Sequence, residues 1–128
     1  MDDKPDSGLA GLRILVVEDE YMIAELLCMI LEGFGCTVIG PCATVADALA
    51  AARENELDGA VLDVNLDGDS SGPVAAALNA AAVPFVVASG YGELSVLDDA
   101  LNQTARLSKP FDSAQLKASL QAAFVKNG

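Results

Sequence analysis

The hydrophobic positions of this chain fall into two alternating patterns. Short continuous apolar runs, Ile14-Leu15-Val16-Val17, Gly59-Ala60-Val61-Leu62 and Phe85-Val86-Val87-Ala88, have the length and β-branched content of buried strands. Between them, apolar residues recur at steps of three and four, as amphipathic helices require. The pattern predicts a first strand over 12–17 and a helix over 20–34. That helix turns Ile23, Leu26, Leu27, Ile30, Leu31 and Phe34 inward, and Gly33 and Gly35 end it. Strand two is expected over 36–40, closed by Pro41. Thr44 caps a second helix whose inner face is Val45, Ala48, Leu49 and Ala52. Strand three is expected over 57–64, and the stretch 65–73, rich in turn formers, reads as a loop. A third helix then carries Val74, Ala77, Leu78 and Ala81 inward, and strand four covers 85–88. Gly90-Tyr91-Gly92 reads as a loop before a helix with Leu94, Leu97 and Leu101. Strand five covers 105–108. Asp112 or Ser113 caps a last helix with Leu116, Leu120, Ala123 and Phe124 inward.

Strands that are apolar throughout, alternating with amphipathic helices, imply a parallel sheet covered on both faces. The expected architecture is a doubly wound α/β fold with five parallel strands in the order 2-1-3-4-5. Residues 1–11 are polar and without period, and read as a flexible leader; residues 12–128 read as one domain.

Composition narrows the classes. Of 128 residues, 52% are hydrophobic, enough for a sizeable core. No apolar run approaches the ~20 residues of a membrane span, and the first residues lack the apolar segment of a signal peptide. A soluble, cytoplasmic protein is expected. The net charge of −12 argues against nucleic acid and anionic membranes as partners, since both require basic patches. Cys28, Cys36 and Cys42 lack metal-binding spacing and read as small hydrophobes, and the absence of His removes Ser-His chemistry.

The chemistry lies where the strands end. Strand one ends in Glu18-Asp19, strand three in Asp63, strand four in Ser89 and strand five in Lys109-Pro110. In a parallel α/β sheet these ends share one edge, where ligands bind. Strand two, at the sheet's margin in the expected order, carries no such residue. Each residue alone has a plain structural reading: an acid capping a helix, a turn residue, a surface lysine. Together they form a set suited to phosphoryl transfer onto a carboxylate. Glu18 and Asp19 would hold a hard divalent cation, Asp63 would act as nucleophile, and Ser89 and Lys109 would contact the phosphoryl oxygens. Asn65, two positions beyond Asp63, could offer its backbone carbonyl to the cation.

These residues resemble the receiver domain of two-component response regulators. The resemblance runs over residues 12–126 and rests on Ile14-Leu15-Val16-Val17-Glu18-Asp19-Glu20, Val61-Leu62-Asp63-Val64-Asn65-Leu66, Ala88-Ser89-Gly90 and Ser108-Lys109-Pro110-Phe111. It implies a flavodoxin-like, CheY-like fold and a stand-alone receiver rather than a turnover enzyme. Asp63 would accept phosphate from a sensor histidine kinase or a histidine phosphotransfer protein. Mg²⁺ would be held by Asp19, Asp63 and the Asn65 carbonyl, with Glu18 acting directly or through water. Ser89 would switch toward the phosphoryl group, Lys109 would pair with it, and the Lys109–Pro110 bond would be cis. Output would be a contact with a downstream protein, or the domain would serve as a phosphate sink.

The chain departs from the family at Arg106, where Tyr or Phe commonly stands three residues before the Lys. The segments between Asp63, Ser89 and Lys109 are also short, which implies a reduced or reoriented helix after Ser89. The stretch 84–92 is similar to the motif of the FATGUY receivers, with Ser in place of Thr. That group is often single-domain and pairs with kinases of the HWE/HisKA2 type. Tyr91 is then a candidate either to replace the missing aromatic switch or to shield the acyl phosphate. A haloacid-dehalogenase-type phosphatase would need an acid where Asn65 stands. A flavin or dinucleotide module would need a Gly-rich turn after strand one.

Overall fold

The computed structural model describes residues 8–66, 68–89, 105–108 and 111–125, with the backbone alone at Asn65, Ser89 and residues 105–108. In chain order the elements are β1 (Arg13–Val17), α1 (Tyr21–Gly33), β2 (Thr37–Cys42), α2 (Val45–Glu54), β3 (Gly59–Asp63), β4 (Asn65–Leu66), β5 (Asp69–Ser70), α3 (Gly72–Ala80), β6 (Phe85–Ser89), β7 (Ala105–Ser108) and α4 (Ser113–Phe124). The five long strands form one parallel sheet in the order β2-β1-β3-β6-β7, the order expected from the sequence.

Side-chain alternation explains the two layers. Leu15 and Val17 of β1 pack with Ala60, Leu62 and Val87 against α2 and α3. Ile14 and Val16 pack with Val61 and Val86 against α1 and α4, where Leu27, Leu31, Leu116 and Leu120 are buried. Each fully buried aliphatic side chain contributes roughly 1.5–3 kcal/mol relative to exposure. Thr44 caps α2 by accepting from the Asp47 amide at 3.0 Å. Asp112 and Gln115 form a reciprocal capping box on α4.

Several expectations are corrected. β2 runs on through Pro41 to Cys42, with an irregularity in its pairing opposite Leu15–Val17. Gly40 makes this possible: its φ is +103°, and a Cβ there would lie 2.9 Å from the Val16 carbonyl. On α1 the buried residues are Ala24, Leu27 and Leu31, whereas Leu26 is 49% exposed. On α3 Ala75 rather than Ala81 is buried. The loop after Asp63 contains a small antiparallel hairpin, in which Asn65 pairs with Ser70 and Leu66 with Asp69. The cis proline bond among the described residues is Gly40–Pro41. Lys109–Pro110 and the helix expected around Leu94, Leu97 and Leu101 lie outside the described residues.

The leader expected over 1–11 is different from residue 8 onward. Leu9 is fully buried in the α1/α4 layer, the Gly11 amide donates to the Gly35 carbonyl at 2.8 Å, and the Cys36 thiol donates to the Leu9 carbonyl at 3.4 Å. Leu9, between the positive-φ glycines Gly8 and Gly11, fills the end of that layer, although the residues before it are polar. Residues 1–7 lie outside the described residues. Burial pushes the thiols of Cys28, Cys36 and Cys42 upward in pKa, in keeping with a packing role.

Leu9→Ala is expected to cost about 2–4 kcal/mol, because it empties a fully buried site. Urea unfolding of both proteins measures this directly; a loss below about 0.5 kcal/mol, the scale of an ordinary surface substitution, would show that the segment is not a working part of the core.

Candidate functional site

The register of β1 against β3 builds the site. Val17 pairs with Leu62, so the next residues along the two strands are Glu18 and Asp63. Continuing the alternation, Glu18 follows Ile14 and Val16, and Asp63 follows Val61, on the face that carries α1 and α4. Both acids are nearly buried, with Glu18 2% and Asp63 5% exposed; Asp19 is half-buried. One carboxylate oxygen from each of Glu18, Asp19 and Asp63 lies within 4.8 Å of the others.

Local bonds fix this arrangement. The Glu18 amide donates to the Cys42 carbonyl at 2.9 Å, which ties the end of β1 to the end of β2. The Glu18 carboxylate accepts from the Glu20 amide at 3.2 Å as the chain turns into α1. Glu20 is the N-cap of α1 and makes no side-chain cap bond. On the other side of Asp63, the Val64 amide donates to the Ala88 carbonyl at 3.2 Å.

The other strand ends lie along the same edge. Asp63 pairs with Ala88, and Ser89 pairs with Ser108, so β6 and β7 end level with the carboxylates. The backbone of Asn65 sits in β4, immediately beyond the cluster. Sequence reasoning therefore placed Glu18, Asp19 and Asp63 in one cluster, with Asn65 and Ser89 on bordering backbone. Lys109 and Tyr91 lie outside the described residues, and Arg106 is described only as backbone in β7.

One buried polar residue at this edge was not anticipated. Ser71 is fully buried, and both its amide (3.0 Å) and its hydroxyl (3.2 Å) donate to the Val64 carbonyl. The sequence held a partial signal: Asp67-Gly68 is a dipeptide favoured in two-residue hairpin turns, and such a turn brings Ser70-Ser71 back beside Val64-Asn65.

Three carboxylates this close repel one another unless a cation or a proton joins them. All the donors are hard oxygens, and the cluster includes no thiol, so the set suits a hard divalent cation over a soft one. A buried carboxylate, Asp63, thus stands at the C-terminal edge of a doubly wound parallel sheet beside two further acids, the edge at which such folds bind their ligands.

The response regulator receiver domain model matches residues 14–121, and the chain belongs to that family. It is 33% identical over 114 residues to the phyllosphere-induced regulator PhyR of Methylorubrum extorquens, covering 87% of this chain and 43% of PhyR. The chain thus spans less than half the length of that relative. It is similar to the solution structure of SdrG from Sphingomonas melonis Fr1, with 42% identity, a TM-score of 0.78 and coverage of 88% of this chain and 95% of SdrG. It is also similar to the BeF3-activated conformation of SdrG from Pseudomonas melonis Fr1, with 42% identity, a TM-score of 0.74 and coverage of 88% and 96%.

Without divalent cations, Asp63→Asn is expected to stabilise the fold by on the order of 1–3 kcal/mol, since it removes one of three crowded like charges. Thermal melts of the two proteins in chelator test this; a lower midpoint for the variant would contradict the repulsion argument.

Proposed function

We propose that the chain is a phosphoacceptor switch or phosphate sink, in which Asp63 takes a phosphoryl group from a phosphohistidine of a sensor histidine kinase or a histidine phosphotransfer protein. The observation that carries this reading is the gathering of the Glu18, Asp19 and Asp63 carboxylates at the C-terminal edge of the sheet. The structure of SdrG in a BeF3-activated conformation supports it, because that protein shares 42% of its residues with this chain.

A carboxylate oxygen of Asp63 attacks phosphorus in line with the phosphorus–nitrogen bond. The oxygen–phosphorus bond forms, the phosphorus–nitrogen bond breaks, and the leaving imidazole keeps its electron pair and takes up a proton. Mg²⁺ bound at this edge would neutralise the carboxylates and the charge on the transferring oxygens. Glu18, Asp19 and Asp63 would hold it, with the Asn65 carbonyl. Lys109 would add a positive charge to the phosphoryl group, and Ser89 would donate a hydrogen bond to it. The buried strands hold Asp63 in place while the phosphoryl donor is outside. New contacts to the phosphoryl oxygens would then shift the population between two states of the domain.

The partners are proteins. Tyr21 and Met22, 72% and 80% exposed, begin α1 two to three residues after Asp19, and Met29 continues an apolar stripe along that helix. This face borders the site a phosphodonor must reach. Among the described residues no helix is long and apolar enough to cross a membrane, and a cytoplasmic location fits a kinase partner. The chain acts as an acceptor that promotes its own phosphorylation and dephosphorylation, and not as an enzyme that turns over an external substrate.

Incubation with phosphoramidate or acetyl phosphate and Mg²⁺, followed by intact mass, is expected to add one hydroxylamine-labile phosphate to wild type and none to Asp63→Asn. Labelling of the variant at the wild-type rate would contradict the assignment. Lys109→Ala is expected to retain part of the labelling. Tyr91→Ala is expected to shorten the phosphate half-life if Tyr91 shields the acyl phosphate, and an unchanged half-life would exclude that role.

A further inference from the structure

Among the described residues, the buried polar side chains are Glu18, Asp63 and Ser71. The first two belong to the carboxylate cluster. Ser71 stands at the N-cap of α3, where a serine side chain ordinarily accepts from a helix amide. Here it does not. Its φ and ψ are −83° and 7°, away from the extended geometry of the two side-chain caps, Thr44 and Asp112, and its hydroxyl makes no cap bond. The hydroxyl instead donates to the Val64 carbonyl at 3.2 Å.

That carbonyl already accepts from the Ser71 amide at 3.0 Å. The hydroxyl is therefore not needed to satisfy a buried polar group. Its effect is positional. Val64 lies between Asp63 and Asn65, and the two bonds to its carbonyl close the base of the hairpin formed by β4 and β5. Leu66, 2% exposed, anchors the same hairpin in the core. The α3 end of the clamp is held in turn, since the Ala75 amide donates to the Ser71 carbonyl at 3.0 Å.

We propose that Ser71 is a positioning residue for the cation site: its buried hydroxyl locks the peptide between Asp63 and Asn65 so that the Asp63 carboxylate and the Asn65 carbonyl stand ready for Mg²⁺. This rests on the phosphoacceptor reading given above and extends it to a residue outside the reacting set. A pre-set ligand segment binds a cation more tightly than one that must be ordered on binding. Removal of the hydroxyl leaves Val64 bonded to the Ser71 amide, so Ser71→Ala should loosen the segment without leaving an unsatisfied carbonyl.

The test is calorimetric titration of Mg²⁺ into the full chain as wild type, Ser71→Ala and Leu9→Ala. The dissociation constant of Ser71→Ala is expected to rise about tenfold, the scale seen when a group that orients a metal ligand is removed. Leu9→Ala, which loosens the opposite end of the fold, is expected to leave it unchanged. In phosphoramidate labelling, the Mg²⁺ concentration for half-maximal rate should rise by the same factor, while the rate at saturating Mg²⁺ stays close to that of wild type. If Ser71→Ala does not fold, Ser71→Cys replaces it, being similar in size with a poor donor, and the expectation is the same. A dissociation constant equal to that of wild type overturns the proposal. Equal weakening by Leu9→Ala also overturns it, by showing a general loss of stability. Wild type that takes up neither Mg²⁺ nor phosphate would instead overturn the phosphoacceptor reading, and this proposal with it.

Discussion

Everything at this site depends on the parallel pairing of β1 with β3. The pairing places Val17 beside Leu62, and so brings Glu18 and Asp63 out of the core side by side. The apolar residues before them are fully or nearly fully buried, so neither strand can slide without exposing a core residue or reversing which face its side chains meet. The core thus holds together charges that would separate if free. Their mutual repulsion is opposed by burial distributed over two layers. The same crowding of hard oxygen donors suits the edge to a divalent cation.

The segment after Asp63 extends this logic. A run read as plain loop is a hairpin whose base is closed by Ser71 and whose Leu66 is anchored in the α2/α3 layer. Asp63 is therefore supported from both directions: β3 fixes the residues before it, and the clamp at Val64 fixes the residues after it. On the far side of β1, the bond from the Glu18 amide to the Cys42 carbonyl plays the matching part. An acidic pocket on a mobile loop would relieve its repulsion by moving apart. This one is held by backbone bonds and retains it.

Much of this was legible in the sequence, for identifiable reasons. Continuous apolar runs ending in Glu18-Asp19 and Asp63 specified parallel strands and the edge where the acids meet, because burial on both faces leaves no polar alternation. The strand order fitted the absence of a chemistry-bearing residue at the end of strand two, which that order places at the margin of the sheet. The missed features depend on neighbours that the local pattern does not show. Leu26 fits the helical period as well as Leu27 does, yet it faces outward, and Ala24 takes the inner place because a small side chain suits close helix–sheet approach. Leu9 follows directly on a polar stretch, and the open end of the α1/α4 layer makes it a core residue. Ser71 belongs to the stretch 65–73 that reads as a loop, and its bond to Val64 depends on a hairpin whose Asp67-Gly68 signal was present among other turn formers.

The central claim is that Asp63 is the atom-level acceptor. Borohydride reduction of the phosphoramidate-treated protein, with peptide mapping of the product, tests it most directly, because reduction converts an aspartyl phosphate to homoserine and marks its position. The account predicts homoserine at position 63, dependent on both phosphoramidate and Mg²⁺. Homoserine at another acid, or phosphate that resists reduction and sits on a hydroxyl, would contradict it.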